Sequence, residues 1–209
     1  MARPAPRPLD EETLQVPSSV RFPVELMPPD GFDPARIETW PRVVGRLEWV
    51  DGRLLYMPPC GRWQAVTVAD VVVVLGNWAR SHPGFVVGTN EPGLHLGDDT
   101  RAPDASIWCR ADLGKLTSAF ATAAPILAVE VAGRDEREPE LRAKSRWYLR
   151  KRVPIIWIVL PERREVLVVT GAGESRHRTG DRLPSDSRLP RSLAGGRGPV
   201  HPGVPRRVI

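Results

Sequence analysis

Three residues of this chain have types and spacing that could do chemistry together: Asp104, Glu130 and Lys144. Glu130 closes the run Ile126-Leu-Ala-Val, which is otherwise apolar. An ionised carboxylate in such surroundings is costly unless it meets a cation or coordinates a metal. The competing reading is a strand-end glutamate that reaches solvent or an arginine. Asp104 follows Pro103 at the mouth of a second apolar segment, and Pro-Asp alone is ordinary turn chemistry. If the two segments are neighbouring strands, both carboxylates meet at one strand end. Two hard oxygen donors and a backbone carbonyl suit Mg²⁺, which keeps its remaining positions for waters and a substrate phosphate. Lys144 is one of only three lysines, against 27 arginines. On a helix, its neighbours at −3, +3 and +4 are Leu141, Trp147 and Tyr148, so it lies on or beside the apolar face, where lysine is seldom unpaired. An ammonium near two carboxylates can orient or deprotonate a water, or stabilise a phosphorane-like transition state. The alternative is a lysine that snorkels to solvent.

The elements that must position these residues can be read along the chain. Residues 1–30 hold seven prolines and no lasting periodicity, and read as an irregular lead-in. A short helix is expected within 33–45, with Asp33 as N-cap and Pro34 first in the helix. Arg46–Val50 and Arg53–Met57 flank Asp51-Gly52, the signature of a hairpin with a type I′ turn. Residues 61–81 read as a buried helix with Val66, Val68, Ala69, Val72, Val73, Leu75, Gly76 and Ala79 inside. Short strands are expected at 85–88, 94–96 and 104–109. Residues 126–131 and 153–160 carry the continuous apolar pattern of strands covered on both faces. Residues 135–151 read as a helix opened by an Asp135–Glu138 capping box. Residues 165–170 pair with 153–160 across Pro161-Glu-Arg-Arg. The sum is a mixed sheet flanked by helices, an α/β (α+β) chain. Beyond Thr170 the aliphatic pattern stops, and disordered or loosely wrapped chain is expected.

Composition narrows the function classes. The 209 residues suit one domain with extensions. The net charge of +5 lies wholly in residues 174–209, where eight arginines meet three acids; residues 1–173 balance 22 basic with 22 acidic side chains. The body is therefore no basic nucleic-acid clamp, and any phosphate-binding face on it needs local clustering. Cys60 and Cys109 form no CxxC and the four histidines are scattered, so no zinc site is expected. Two free thiols, an opening without a charged-then-apolar leader and no membrane-length apolar run are what a soluble cytoplasmic protein would show.

The order Pro-Asp, then a strand ending in Glu, then Lys resembles the PD-(D/E)XK nuclease superfamily, and more closely its Uma-type branch of restriction endonucleases. The residues that carry the resemblance are Leu47-Glu48-Trp49-Val50-Asp51-Gly52-Arg53-Leu54, Pro103-Asp104-Ala105-Ser106, Val129-Glu130-Val131, Lys144 with Tyr148, and Val153-Pro154-Ile155-Ile156-Trp157-Ile158-Val159. They span about residues 40–170. The lysine lies fourteen residues after Glu130 rather than two, and position 132 is Ala; the branch is similar in moving this lysine to the helix.

The resemblance implies a restriction endonuclease-like core with an N-terminal β-hairpin, and Mg²⁺-dependent cleavage of DNA phosphodiesters, with Mn²⁺ as a substitute ion. By carry-over, Asp104 and Glu130 hold the metal and Lys144 serves the attacking water. Glu48 matches the family's early glutamate and would complete the acidic cluster; otherwise it is a solvent-facing hairpin residue. Tyr148 is read as packing. Since one such site cuts one strand, a homodimer is implied. The chain divides into a lead-in at 1–32, a nuclease-like domain at 33–170 and a basic tail at 171–209. Departures occur at Trp63, where the family often has His, at Gly133 in place of Ser, and at Leu160 in place of Asp. They motivate an alternative reading: an inactive nuclease fold that binds nucleic acid or a partner. Residues 188–209 do not resemble the family's aliphatic end, and a shifted reading frame or truncated terminus is expected there.

Overall fold

A computed structural model of the chain describes residues 19–89, 93–113, 119–133, 136–184 and 186–189. In chain order its strands are β1 (Val24–Leu26), β2 (Arg46–Val50), β3 (Arg53–Met57), β4 (Phe85–Thr89), β5 (Leu94–Leu96), β6 (Asp99–Arg101), β7 (Ala105–Cys109), β8 (Leu127–Val131), β9 (Ile155–Leu160), β10 (Glu165–Thr170) and β11 (Gly173–Arg178). Its helices are α1 (Arg62–Arg80), the single turn α2 (Arg110–Leu113) and α3 (Glu138–Arg150).

Two sheets result. The smaller runs β1-β3-β2-β6-β5 and the larger β11-β10-β9-β8-β7-β4. Asp51 and Gly52 take φ values of 52° and 76°, the left-handed pair that a type I′ turn requires. That turn sets the register Glu48↔Leu55 of the hairpin. In the larger sheet only β8 and β9 are parallel, and α3 makes the crossover between them.

The period-two alternation of β8 and β9 divides the core. Leu127, Val129, Val131, Ile155, Trp157 and Val159 pack against Val71, Leu75 and Trp78 of α1. Ala128, Ile156, Ile158 and Leu160 face Leu141, Trp147 and Tyr148 of α3, together with Val50 and Leu55 of the hairpin. Strands apolar on both faces are what two covering layers demand. Glu130 shares the parity of Ala128, so its side chain enters the layer between the larger sheet, α3 and the smaller sheet.

Several expectations need correction. The helix within 33–45 is only a 3-10 turn at Ile37–Thr39. Asp33 still ends the chain's approach, since its carboxylate accepts the Ala35 N–H at 2.9 Å, but Thr39 Oγ1 donates back to the Asp33 and Arg36 carbonyls and closes the turn. The α1 face was misassigned in part. Val71 and Trp78 are buried, whereas Val66 and Val73 are exposed. Helix α3 starts at Glu138, with Arg137 as N-cap and the Glu140 carboxylate accepting the Arg137 N–H at 3.1 Å. The expected box on Asp135 falls outside the described residues. The lead-in supplies β1, paired with β3. Residues past Thr170 are not irregular throughout: β11 pairs along the whole of β10, and Leu183 and Leu189 are buried on the α1 side. The expectations for residues 190–209 lie outside the described chain.

One backbone position feeds the site directly. Gly45 has φ 138°, and a Cβ there would run into the Met57 carbonyl oxygen and the Tyr56 ring. Gly45→Ala is expected to cost about 2 kcal/mol or more, from left-handed strain with no room to relax. Urea unfolding measures the loss.

Candidate functional site

The antiparallel register of β7 on β8 pairs Ala105 with Val129 and Ser106 with Ala128. Continued by one residue, it sets Asp104 across from Glu130 on the α3 face. The condition left open by the sequence, that the two strands be neighbours, is thus met. Asp104 Oδ2 accepts the Val131 N–H at 2.7 Å, which fixes its carboxylate at the end of β8. Its other oxygen, Oδ1, faces Arg46 Nη1 at 3.4 Å.

Lys144 lies one turn before Tyr148 on α3, and both reach Glu130. The Lys144 ammonium donates to Glu130 Oε2 at 3.1 Å, and the Tyr148 hydroxyl donates to Glu130 Oε1 at 2.6 Å. Tyr148 therefore does more than pack, which corrects its reading from sequence. Nor does Lys144 snorkel into solvent. Its side chain is 13% exposed, and it also donates to Glu136 Oε1 at 3.0 Å.

Glu48 is buried, not solvent-facing, and joins the same layer from β2. Its Oε2 makes a charge contact of 2.9 Å with Arg101 Nε, while Oε1 accepts no hydrogen bond and has Arg46 Nε 3.9 Å away. Arg101 also stacks over the Trp147 ring, 5.0 Å from its centroid. The site thus holds Glu48, Asp104, Glu130 and Glu136 with Arg46, Arg101 and Lys144 among them.

The electrostatics follow from this crowding. Burial pushes the Glu130 carboxyl above its ordinary range; Lys144 opposes the shift, while Asp104 and Glu48 add to it. Burial acts against the charged Lys144, but Glu130, Glu136 and Glu48 outweigh it and raise its proton affinity. A lysine so held stays an ammonium at neutral pH. Of the three roles read from sequence, an ammonium can orient a water or stabilise charge, but it is not a base that deprotonates one. Burial also opposes ionisation of Glu48 and Glu136. Arg101, Arg46 and Lys144 bring Glu48 below its ordinary range, and Lys144 with the Gly133 N–H does the same for Glu136.

Five participants were missed in the sequence: Arg46, Arg101, Gln64, Glu136 and the polar role of Tyr148. Gln64, in the first turn of α1, donates to the Val131 carbonyl at 3.0 Å and lies 3.5 Å from Asp104 Oδ2. A Cβ at Gly133 would meet Gln64 Oε1 at 3.0 Å and Glu136 Oε2 at 3.3 Å, so the family's serine position is occupied here by tight polar packing. Trp63, beside Gln64, is 49% exposed. The only advance signal for Arg46 was its spacing, two residues before Glu48 on the same strand face.

As a cation site the cluster has mixed credentials. Hard carboxylate oxygens, two of them on adjacent strands, and a buried Glu48 oxygen with no hydrogen bond suit a divalent ion. Among the described residues, however, no three His, Cys, Asp or Glu side chains are arranged as a ready metal cage. Among the described residues, no helix is long and apolar enough to cross a membrane.

Comparison with known proteins agrees with this architecture. The sequence model of the Uma2 family, described as "Putative restriction endonuclease", matches residues 35–197. No curated protein matches the chain. Among solved structures, the chain is similar to a protein from Anabaena variabilis ATCC 29413 described as "a putative nuclease belonging to DUF820", at a TM-score of 0.64 and 15% identity, covering 76% of this chain and 88% of that one. The fold is that of a restriction endonuclease-like core, as the order of motifs implied.

Proposed function

This chain belongs to the Uma2 family, and from that premise we propose that it is a divalent-metal-dependent endonuclease that hydrolyses phosphodiester bonds of DNA. The observation that carries the proposal is the meeting of Asp104 and Glu130 across β7 and β8, with the Lys144 ammonium 3.1 Å from Glu130. Asp104 and Glu130 would hold the ion, Mg²⁺ or Mn²⁺, with Glu48 Oε1 as a further oxygen in the layer. The ion, when bound, would supply Lewis acidity toward a phosphoryl oxygen and a more acidic water.

The chain's own residues have separable parts in this reading. Lys144, kept charged by Glu130 and Glu136, stabilises the negative charge that grows on the phosphoryl oxygens. Tyr148 and Lys144 together fix the rotamer of Glu130, and the Val131 N–H and Gln64 fix that of Asp104. Glu136 acts through Lys144, as a positioning residue. Cutting both strands of a duplex needs two such sites, so the working form would be a homodimer.

A second reading, a metal-free module that binds nucleic acid on the same fold, is favoured by Arg46 Nη1 beside Asp104. Supercoiled plasmid incubated with purified protein separates the two. The expected result is nicking that needs Mg²⁺ or Mn²⁺ and stops with EDTA. Absence of nicking with either ion, from folded protein that still retains the plasmid on a gel, would favour the second reading.

A further inference from the structure

Side-chain exposure rises outward from Glu130 at 1% through Lys144 at 13% to Glu136 at 30%, so one edge of the carboxylate layer reaches solvent at Glu136. The first turn of α1 stands at that edge. Gln64 Oε1 and Glu136 Oε2 adjoin one backbone position, 3.0 and 3.3 Å from where a Cβ at Gly133 would lie. Trp63 precedes Gln64 on the helix. Consecutive helical side chains diverge by about 100°, so the indole flanks the site instead of entering it. Of the seven tryptophans, Trp63 alone is exposed. Among the described residues its ring meets no other aromatic ring and no cation.

We propose that Trp63 is a stacking platform for a nucleobase beside the phosphate engaged at the carboxylates, and that the site therefore takes DNA with unpaired bases, as single strands or locally opened duplex. The inference rests on the proposed nucleic-acid substrate and goes beyond it in choosing the strand form. An indole is a broad, rigid surface that accepts any base by its π-face. Inside a continuous duplex both faces of every base are covered by its neighbours, so only a base freed from the stack can use it. Charge agrees with an anionic occupant. Arg62 precedes Trp63 and Arg137 follows Glu136; both are exposed, and neither joins an ion pair among the described residues. No acidic residue occupies the first turn of α1. The two guanidiniums would meet backbone phosphates on either side of the stacked base. A second copy of the chain is the competing occupant, since Val66 and Val73 are also exposed on α1. Against it, the exposed Asp70 interrupts that apolar run, and Trp63 lies at the end of the run nearest the site.

Fluorescence anisotropy of labelled oligomers titrated with the full chain, Trp63→Ala and Trp63→Phe tests this, in EDTA and in Ca²⁺. The probes are a thymidine oligomer, an abasic oligomer of equal length and a blunt duplex of equal length. The wild type is expected to bind the thymidine oligomer more tightly than the duplex. Trp63→Ala should weaken that binding about 10-fold and leave the abasic oligomer almost unaffected, while Trp63→Phe should recover most of the loss. Tryptophan emission of the wild type should fall on binding the thymidine oligomer, and most of that change should vanish in Trp63→Ala. Equal affinity of Trp63→Ala and wild type for the thymidine oligomer, or an equal loss on the abasic one, would overturn the proposal. So would sedimentation showing that Trp63→Ala turns a dimer into a monomer, with affinity restored at concentrations that restore the dimer; the indole would then belong to a contact between copies. Plasmid nicking by the wild type alongside either result would leave the nuclease reading standing. Base-dependent binding through Trp63 without nicking in Mg²⁺ or Mn²⁺ would do the reverse, and binding of no oligomer in either medium would overturn both.

Discussion

Lys144→Met is expected to lower stability by about 3 kcal/mol at neutral pH, the scale on which removing one partner of a buried ion pair acts. The loss comes from Glu130, which is 1% exposed and would keep only the Tyr148 hydroxyl at 2.6 Å. Glu130 already has a raised proton affinity, from burial first and then from Asp104 and Glu48. A carboxyl whose folded value is raised contributes stability that is full below its unfolded value, near 4.5, and lost as pH rises through the folded value. Without Lys144 that folded value rises further. Glu48 and Glu136, which Lys144 helps to hold low, work in the same sense: their stabilisation is present above the ordinary carboxylate range and fades as pH falls through their folded values. The gap between wild type and Lys144→Met should therefore narrow as pH is lowered from 7 toward about 5. Urea unfolding at several pH values measures it, and a gap that widens on acidification would contradict this assignment of charges. Lys144→Met combined with Glu130→Gln should recover part of the loss, because both ends of the pair are then neutral. Nicking should fall by about 10²–10³-fold in Lys144→Met if the ammonium stabilises the transition state.

Two substitutions at Asp104 should separate fold from activity. Asp104→Ala strips the acceptor from the buried Val131 N–H, so it is expected to cost about 1–3 kcal/mol as well as activity. Asp104→Asn keeps an oxygen that can accept the same N–H, so it should unfold close to the wild type. Its nicking is nonetheless expected to drop by about 10²-fold or more, because a carboxylate charge is lost where the reaction needs it. Asp104→Asn is thus the cleaner probe, and its melting temperature and plasmid nicking are measured on one preparation. Full activity in Asp104→Asn would remove this residue from the proposed metal site.

Much of the scaffold was legible because local chemistry dictates it. Asp51-Gly52 can hardly be other than the hairpin turn, and both residues take the left-handed conformation it demands. The runs at 126–131 and 153–160 are central strands for the reason their composition implies, apolar cover on both faces. Strand β11 escaped notice because it is a polar edge strand. Its residues carry no alternating apolar signal and gain their place by backbone pairing with β10 and by Arg176 and Arg178 meeting Glu165. The exposed valines of α1 misled in the other direction: Val66 and Val73 are apolar, but the helix has only one face to bury.

At the site the division is just as physical. The amino-acid sequence alone singled out Asp104, Glu130 and Lys144, since a carboxylate in an apolar strand and a lysine on an apolar helix face each demand a partner. It could also carry Glu48, by resemblance. Which groups answer that demand was decided by tertiary structure. Strand register set Asp104 opposite Glu130, and the smaller sheet, in which β2 pairs with β6, brought Glu48, Arg46 and Arg101 into the same layer. Such pairings join residues up to 58 positions apart, and no local pattern encodes them. The sequence therefore determined where charge had to be buried; only the folded layers determined which cations neutralise it: Lys144 at Glu130 and Glu136, Arg101 and Arg46 at Glu48, and Arg46 at Asp104.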